Sequence, residues 1–139
     1  MAADGWSVVS LDDMPILDAD DLPAWKPVRH SLGIEAFGVN AWLGPDAGGA
    51  VIDDHDELEH DDDDGGQEEL YYVVAGRARF TIDGDRVDAP AGTFVALTDP
   101  ALERAAVAEE PGTLILAVGG FRGSAFKPSA WELKRLAKL

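Results

Sequence analysis

Apolar and polar side chains alternate with a period of two through much of residues 33–120, a pattern typical of half-buried β-strands. Residues 77–82 are the clearest example, because positions 77, 79 and 81 are polar while positions 78, 80 and 82 are apolar. One face of such a strand meets water and the other enters a core. Further strands are predicted at residues 34–43, 50–52, 70–74, 93–97, 104–108 and 113–118.

Short turn sequences separate these strands. Asp83-Gly84 is the strongest hairpin signal, since glycine supplies the positive φ that a tight turn requires. No helical periodicity lies between the strands. Many short strands at this spacing predict an all-β domain, built as an antiparallel sandwich or barrel.

The N-terminal part of the chain lacks the alternation. Three prolines divide residues 1–32 into acidic and apolar pieces, which predicts an irregular arm lying on the domain. We therefore expect one domain over 1–139, divided into this arm (1–32), a barrel (33–120) and a C-terminal extension (121–139).

The extension carries the clearest helix signal. Ser129 and Glu132 have the spacing of a capping box, in which the serine caps the helix and the glutamate reaches back to it. Trp131, Leu136 and Leu139 can share one face. We expect this short helix to pack on the barrel or on a partner subunit.

Composition narrows the function classes. The chain has 139 residues, 46% of them hydrophobic, and its 27 acidic and 11 basic residues give a formal charge of −16. Such a chain is expected to fold, and its acidity disfavours nucleic-acid and membrane-surface partners. The absence of cysteine excludes disulfides and thiolate metal sites. Without a leader-like or membrane-spanning apolar stretch, we expect a cytoplasmic protein.

The acidity is concentrated in residues 53–69, which hold 11 acidic residues and no Lys or Arg. Adjacent like charges such as those of Asp61 to Asp64 repel each other and retain water, which predicts a solvated loop. A calcium-binding loop is the sharper alternative. An EF-hand starting at Asp61 would have Gly65 at its fifth position and Tyr72 at its twelfth, so the pattern fails.

Two motif fragments resemble the cupin superfamily. That family's first motif reads Gly, five residues, His-x-His, three or four residues, Glu, six residues, Gly. Here Gly49 precedes His55 by the same five residues, and Glu69 precedes Gly76 by six. Glu57 stands where the second histidine is expected, and the 11 residues 58–68 replace the usual short spacer.

The second cupin motif reads Gly, five residues, Pro-x-Gly, two residues, His, three residues, Asn. Gly92 fits its start, but other residues occupy the remaining positions: Thr98, Pro100, Glu103 and Val107. The resemblance covers residues 33–120 and implies a double-stranded β-helix, also called a jelly-roll barrel, of the RmlC-like kind.

The resemblance also implies a ligand set. Cupins that bind metal use two histidines and a glutamate of the first motif and a histidine of the second, and their equivalents here are His55, Glu57, Glu69 and Glu103. Such an oxygen-rich set favours Mn²⁺, Fe²⁺ or Mg²⁺ over copper. His60 in the acidic loop is a candidate substitute ligand.

A metal-free interpretation stands beside this one. Converging carboxylates without an ion raise one another's pKa or need cationic neighbours, for which Arg77, Arg79, Arg86 and Arg104 are available. His55 could equally be a loop-end residue hydrogen-bonded to backbone.

Several residues are candidates for the wall of a pocket. If Glu69 points into the barrel, period two puts Tyr71 and Val73 on the same side, while Tyr72 faces outward or meets a dimer partner. The remaining wall candidates are Trp42, Phe94 and Arg79. Large aromatic residues are more often part of a core than of a binding site.

The sequence does not assign an activity, and three hypotheses stay open. The protein binds a small polar molecule in the barrel, or it is a metal-dependent oxygenase, isomerase or decarboxylase, or it is a non-catalytic dimeric module whose acidic loop docks a basic partner. The resemblance implies a homodimer, because a second subunit often covers open sheet edges in this fold. Nucleophile-elbow, Walker and Rossmann patterns are absent.

Overall fold

The computed structural model describes residues 2–19, 22–58 and 66–139, and it contains two main antiparallel sheets. The all-β prediction is confirmed, as is the jelly-roll class. The larger sheet has six strands, and their spatial order is Phe94–Leu97, Gln67–Ala75, Thr113–Phe121, Gly38–Gly44, Leu22–Lys26 and Leu17–Ala19. The smaller sheet has four, in the order Ala50–His55, Arg104–Ala108, Arg77–Ile82 and Asp85–Pro90.

The strands of the barrel lie between residues 38 and 121. Their bounds are Gly38–Gly44 for β5, Ala50–His55 for β6, Gln67–Ala75 for β7, Arg77–Ile82 for β8, Asp85–Pro90 for β9, Phe94–Leu97 for β10, Arg104–Ala108 for β11 and Thr113–Phe121 for β12.

The core lies between the two sheets, where the inward residues of alternating strands meet. Tyr71 of the larger sheet packs on Phe80 of the smaller, with ring centroids 5.3 Å apart. Around them, buried aliphatic side chains fill the interior: Val51, Ile52, Val73, Leu97 and Ile115.

The predicted hairpin at Asp83-Gly84 is present, and both residues have positive φ (45° and 88°), as a two-residue turn of type I′ requires. It joins β8 to β9, whose register pairs Ile82 with Asp85. β9 was not among the predicted strands, because most of its residues are exposed and give no apolar alternation.

The N-terminal arm is more regular than its sequence predicts. It contains short strands β1 (Ala2–Ala3), β2 (Trp6–Ser7), β3 (Leu17–Ala19) and β4 (Leu22–Lys26), a 3-10 helix (Leu11–Asp13) and helix α1 (Val28–Leu32). β4 pairs with β5 through Trp25 and Lys26, which extends the larger sheet. β4 is regular because it pairs with β5, and the prolines of this segment hide the strand pattern in the sequence.

The C-terminal helix α2 spans Ala130–Leu136, and Ser129 caps it as predicted, since its Oγ accepts from the N–H of Glu132 at 3.4 Å. Its orientation differs from the predicted one. Glu132 is the buried residue of the helix, whereas Leu139 is exposed. The helix packs on the barrel through Trp131. Within the described residues, no helix is long and apolar enough to span a membrane.

Candidate functional site

The site forms where the two sheets meet at one end of the barrel. His55 ends β6 in the smaller sheet, and Glu69 lies near the start of β7 in the larger one. Backbone hydrogen bonds hold Glu57 between them: its N–H donates to Pro100 O at 2.9 Å, and its carbonyl accepts from Gln67 N at 3.2 Å.

Gly66 makes this close approach possible. Its φ is +86°, and a Cβ at this position would lie 2.1 Å from the carbonyl oxygen of Glu57. Any other residue would therefore separate the start of β7 from Glu57.

Three side chains converge at this point, and their candidate ligand atoms all lie within 4.8 Å of one another: His55, Glu57 and Glu69. His55 Nε2 is 2.8 Å from Glu57 Oε1 and 3.9 Å from Glu69 Oε1. His55 Nδ1 lies 2.6 Å from the carbonyl oxygen of Asp53. Because a carbonyl only accepts, Nδ1 carries a proton, and Nε2 is the nitrogen that faces the carboxylates.

Glu69 is held by two further groups. The hydroxyl of Tyr71 donates to Glu69 Oε1, and Arg104 Nη1 donates to the same oxygen at 3.2 Å. Arg104 is 0% exposed, and its other guanidinium nitrogens donate to backbone carbonyls, the shortest contact being 2.9 Å to Leu102 O. The buried cation thus neutralises Glu69 while it fixes the loop that precedes β11.

Glu103 does not join this cluster, which corrects the motif-based prediction. Its side chain is exposed, and its backbone N–H donates to Asp83 Oδ1 at 2.8 Å. Successive strand residues face opposite sides, so Arg104, not Glu103, points into the barrel. One sequence feature could have identified Arg104: it is the single charged residue in a strand otherwise made of alanine and valine. The metal-free interpretation did name Arg104 as a neutralising neighbour.

Burial and crowding alter the acidity of the cluster. Burial and the charge of Glu57 raise the pKa of Glu69 to about 7, although the hydrogen bond from Tyr71 and the nearby positive charges oppose the rise. Burial by itself lowers the pKa of His55, but its hydrogen bonds to Glu57 and Asp53 outweigh this and raise its pKa to about 9. Burial and Glu69 also raise the pKa of Tyr71.

The donor set fits a divalent cation. Around an ion with ligand distances near 2.1 Å, adjacent donors lie about 3.0 Å apart and opposite donors about 4.2 Å. The separations of 2.8 and 3.9 Å fall close to these values. The Nδ1 contact to a backbone carbonyl is the arrangement that orients metal-binding histidines. Three protein ligands would leave further coordination positions open.

A cavity of about 380 Å³ adjoins the cluster. Small residues on neighbouring strands leave this space: Gly119 lies between Glu69 and Gly38, and Ala117 lies between Tyr71 and Asn40. A Cβ at Gly119 would lie 2.6 Å from Gln67 Oε1, and one at Gly38 would lie 2.9 Å from the ring of Phe126. Larger side chains at these positions would fill the cavity.

The C-terminal extension forms the opposite wall. Trp131 packs against Trp42 with ring centroids 5.9 Å apart, and both line the cavity. Glu132 is 5% exposed and accepts hydrogen bonds from Arg29 (2.7 and 2.9 Å) and Asn40 Nδ2 (3.1 Å). Sequence reasoning missed the roles of Asn40 and Glu132, because partners 92 and 103 residues apart share no local pattern.

The predicted pocket residues have different positions. Tyr71 and Trp42 line the cavity, whereas Val73 is buried in the apolar core. Phe94 is 65% exposed and packs on Tyr72, because the register pairs these two residues on the outer face of the sheet. Arg79 lies at the surface, 3.3 Å from Glu109. Phe94 and Arg79 therefore do not form pocket walls.

His60, the predicted substitute ligand, lies outside the described residues. The acidic loop, predicted to be solvated and considered as a docking element, lies largely outside them as well, since residues 59–65 are not described.

Comparison with known proteins supports the fold. No protein-family profile matches the sequence, and no curated protein is significantly similar to it. Among solved structures, KdgF from Halomonas sp. has a TM-score of 0.65 and 20% identity over 84% of this chain and 95% of that one. A cupin protein from Bacteroides fragilis has a TM-score of 0.61 and 21% identity over 90% and 92% of the two chains.

A third structure, described as a predicted oxalate decarboxylase from Thermotoga maritima, has a TM-score of 0.61 and 15% identity, covering 84% of this chain and all of that one (100%). Neighbours of this kind include structures named as cupins. The resemblance found in the sequence motifs is thereby confirmed, and this chain has the cupin fold.

Proposed function

We propose that this protein binds a small polar molecule in the barrel cavity, beside a divalent cation held by His55, Glu57 and Glu69. The observation that carries the proposal is the convergence of these three side chains within 4.8 Å at the wall of a cavity of about 380 Å³. A cavity of this volume suits a small ligand.

The donors favour an oxygen-preferring ion such as Mn²⁺, Fe²⁺ or Mg²⁺, because two of the three ligands are carboxylates. Held by these residues, an ion would supply Lewis-acid chemistry to a molecule bound in the cavity. The residues of this chain orient the ligands: Asp53 O fixes the imidazole of His55, while Tyr71 and Arg104 fix Glu69. Trp42 and Trp131 line the opposite side of the cavity.

Metal content tests the proposal first. Protein purified without chelator or histidine tag is expected to carry near-stoichiometric manganese, iron or magnesium by elemental analysis. After the metal is stripped, added Mn²⁺ should raise the melting temperature, since a ligand at 100 times its Kd stabilises by about 2.7 kcal/mol.

Matched variants locate the ion. Glu69→Gln and His55→Ala should abolish the Mn²⁺-induced shift. Glu68→Gln is the control, because Glu68 is the neighbouring residue on the same strand and pairs with the exposed Arg122 instead. An equal Mn²⁺ response in wild type and Glu69→Gln contradicts the proposed centre.

A second candidate is a metal-free binding site, and a specific observation favours it. His55 pairs with Glu57 and Arg104 pairs with Glu69, so the cluster satisfies its own charges. In this alternative the cavity binds its ligand without an ion. Metal-free protein with no Mn²⁺ response, and with ligand binding that EDTA leaves unchanged, would support it.

A more specific proposal is that this centre catalyses a reaction of the bound molecule. An isomerase or decarboxylase reaction would use the open coordination positions beside the cavity, and one structural neighbour is described as a predicted oxalate decarboxylase. The cytoplasmic location stays a prediction.

We also propose a homodimer formed through the outer face of the larger sheet. Tyr72 is flanked across the strands by Phe94 and Leu116, and Val74 beside it is 45% exposed. These residues carry no charge, whereas the chain as a whole has a formal charge of −16. The acidic surfaces of two copies repel each other, so an uncharged face is the part of the surface where a second copy can approach.

A further inference from the structure

We propose that the molecule bound in the cavity is a small organic cation, an amine whose ammonium group meets acidic residues and whose apolar body meets tryptophan. The inference rests on the proposed binding role of the cavity and specifies the charge of the ligand. It follows from the residues that line the cavity beyond the three candidate metal ligands.

The cavity wall is strongly acidic. Among the described lining residues, five are acidic, and His55 is the sole basic one. The acidic residues are Asp53, Asp56, Glu57, Glu69 and Glu132. A carboxylate or phosphate entering this space would meet mostly like charges.

The nearby arginines do not reverse this balance. Arg104 is fully buried, and its guanidinium is engaged by Glu69 and backbone carbonyls. Arg29 is engaged by Glu132 and by the carbonyl of Ile34. Neither arginine lines the cavity, so neither offers a free donor to an anionic ligand.

Two acidic residues of the wall lack an ion-pair partner. Asp53 and Asp56 form no ion pair within the described part of the chain, although Asp53 is exposed to water and Asp56 Oδ1 accepts from the N–H of Leu58 at 3.0 Å. The sequence from 53 to 69 contains no Lys or Arg. With Arg104 and a divalent cation set against Glu57 and Glu69, the two aspartates still leave a net negative charge, which a positive group on a ligand would compensate.

The aromatic part of the wall suits the same ligand. Trp42, Trp131 and Phe126 line the cavity. Tryptophan attracts ammonium groups through its ring face and buries the attached hydrocarbon. Carboxylates beside aromatic rings thus favour an organic cation over an anion as the bound molecule.

The carboxylates of the wall also supply hydrogen-bond acceptors. Each ionised carboxylate accepts through two oxygens, and an ammonium group carries three N–H donors. Asn40 helps to fix one of these carboxylates, because its Nδ2 donates to Glu132 Oε1 at 3.1 Å.

Three probes of one shape test the charge preference. Cyclohexylamine, cyclohexanol and cyclohexanecarboxylate share a six-membered hydrocarbon ring and differ in charge at neutral pH. Binding is measured by tryptophan fluorescence and calorimetry at fixed ionic strength, in metal-stripped and in Mn²⁺-loaded protein. We expect the amine to bind at least about tenfold more tightly than the alcohol, and the carboxylate not to bind.

Two double variants separate the cavity from the overall charge. Asp53→Asn/Asp56→Asn should reduce the preference for the amine to about threefold or less, because it removes the uncompensated carboxylates. Asp46→Asn/Asp54→Asn changes the net charge equally at exposed positions that do not line the cavity, so the preference should persist. Equal loss in both variants identifies general attraction to an acidic protein and overturns the inference.

The outcomes distinguish this inference from the proposed metal centre. Equal binding of amine and alcohol, or binding of the carboxylate, overturns the cation preference even where Mn²⁺ binds as proposed. A tenfold preference for the amine in protein without a Mn²⁺ response supports the inference and contradicts the metal centre.

Discussion

The two ends of this barrel bury polar groups in opposite ways. The closed end lies around Gly44, Val51, Gly76 and Thr113, and the mouth lies around His55, Glu57 and Glu69. β7 and β12 pass through both ends, about 20 Å apart along the strands. At the closed end the buried polar side chain is the neutral Thr113, whose hydroxyl lies 2.7 Å from Glu110 O and accepts from the N–H of Arg77.

At the mouth, the buried groups are ionisable and depend on one another. Glu69 needs Tyr71 and Arg104, and His55 needs Glu57. A hydroxyl satisfied by nearby backbone stabilises the fold at every pH, whereas paired charges respond to protons and to added cations. The same strands therefore carry one end whose polar contacts are independent of pH and one end whose contacts change with pH and with bound cations.

The largest expected effect tests the rigidity of the closed end. Gly76 has a φ of +75°, and a Cβ there would lie 2.4 Å from Thr113 Oγ1 and 2.7 Å from its Cα. Gly76→Ala should cost about 4 kcal/mol of unfolding free energy, from overpacking and the left-handed backbone. Urea denaturation measures the loss. A near-neutral result would show that this end adapts and would remove the contrast.

Arg104→Met should destabilise the protein by about 3 kcal/mol, because it leaves the buried Glu69 and the carbonyls around Leu102 without their donor. Arg79→Met is the matched control. Arg79 forms an exposed pair with Glu109, so its loss should cost less than about 0.5 kcal/mol. Similar losses in the two variants would contradict a special role for Arg104.

Metal-stripped protein should also lose stability as pH rises, because of the ionisable groups at the mouth. The pKa of Glu69 is raised in the folded state from 4.5 to about 7, so its contribution is full below pH 4.5 and is lost as pH rises through 7. The pKa of His55 is raised from 6.5 to about 9, so its contribution is full below pH 6.5 and is lost through pH 9. We expect the melting temperature to fall by several degrees between pH 5 and pH 9.

Glu69→Gln should flatten this profile, because an amide keeps an acceptor for Tyr71 and Arg104 without the buried charge. In the presence of chelator its melting temperature should equal that of wild type at pH 5 and exceed it at pH 8. A wild-type profile that rises between pH 5 and pH 9 contradicts the assigned protonation.

The smallest effect is expected at the outer face. Phe94→Ser should change the stability of the subunit by less than about 0.5 kcal/mol, since its side chain is exposed. It should leave the Mn²⁺ response unchanged while converting a dimer to a monomer in light scattering. A wild-type monomer at micromolar concentration would refute the proposed dimer.

Much of the fold could be predicted from local pattern. The strands at 77–82 and 104–108 have the predicted bounds, because alternation specifies a half-buried strand and turns delimit it. The exposed β9 and the paired β4 were missed, since their order comes from neighbouring strands. Sequence spacing likewise selected His55, Glu57 and Glu69, whose side chains converge.

The site was harder to predict where a shift by one residue decides which side chain of a strand faces the interior. Motif spacing selected Glu103, but Arg104 is the residue that faces inward, and a shift by one position exchanges the faces of a strand. The wall formed by Asn40 and Glu132 depends on contacts between distant segments, which no local pattern encodes. Phe94 illustrates the converse, since aromatic character alone does not tell which face of a sheet it occupies.

Anomalous diffraction from crystals soaked in Mn²⁺ would locate the proposed metal centre. We expect an anomalous peak about 2.0–2.3 Å from His55 Nε2 and from carboxylate oxygens of Glu57 and Glu69. The peak should be absent in Glu69→Gln crystals and present in Glu68→Gln crystals. Manganese bound only to exposed aspartates, with His55 still paired to Glu57 at the mouth, would refute a metal centre at these three residues.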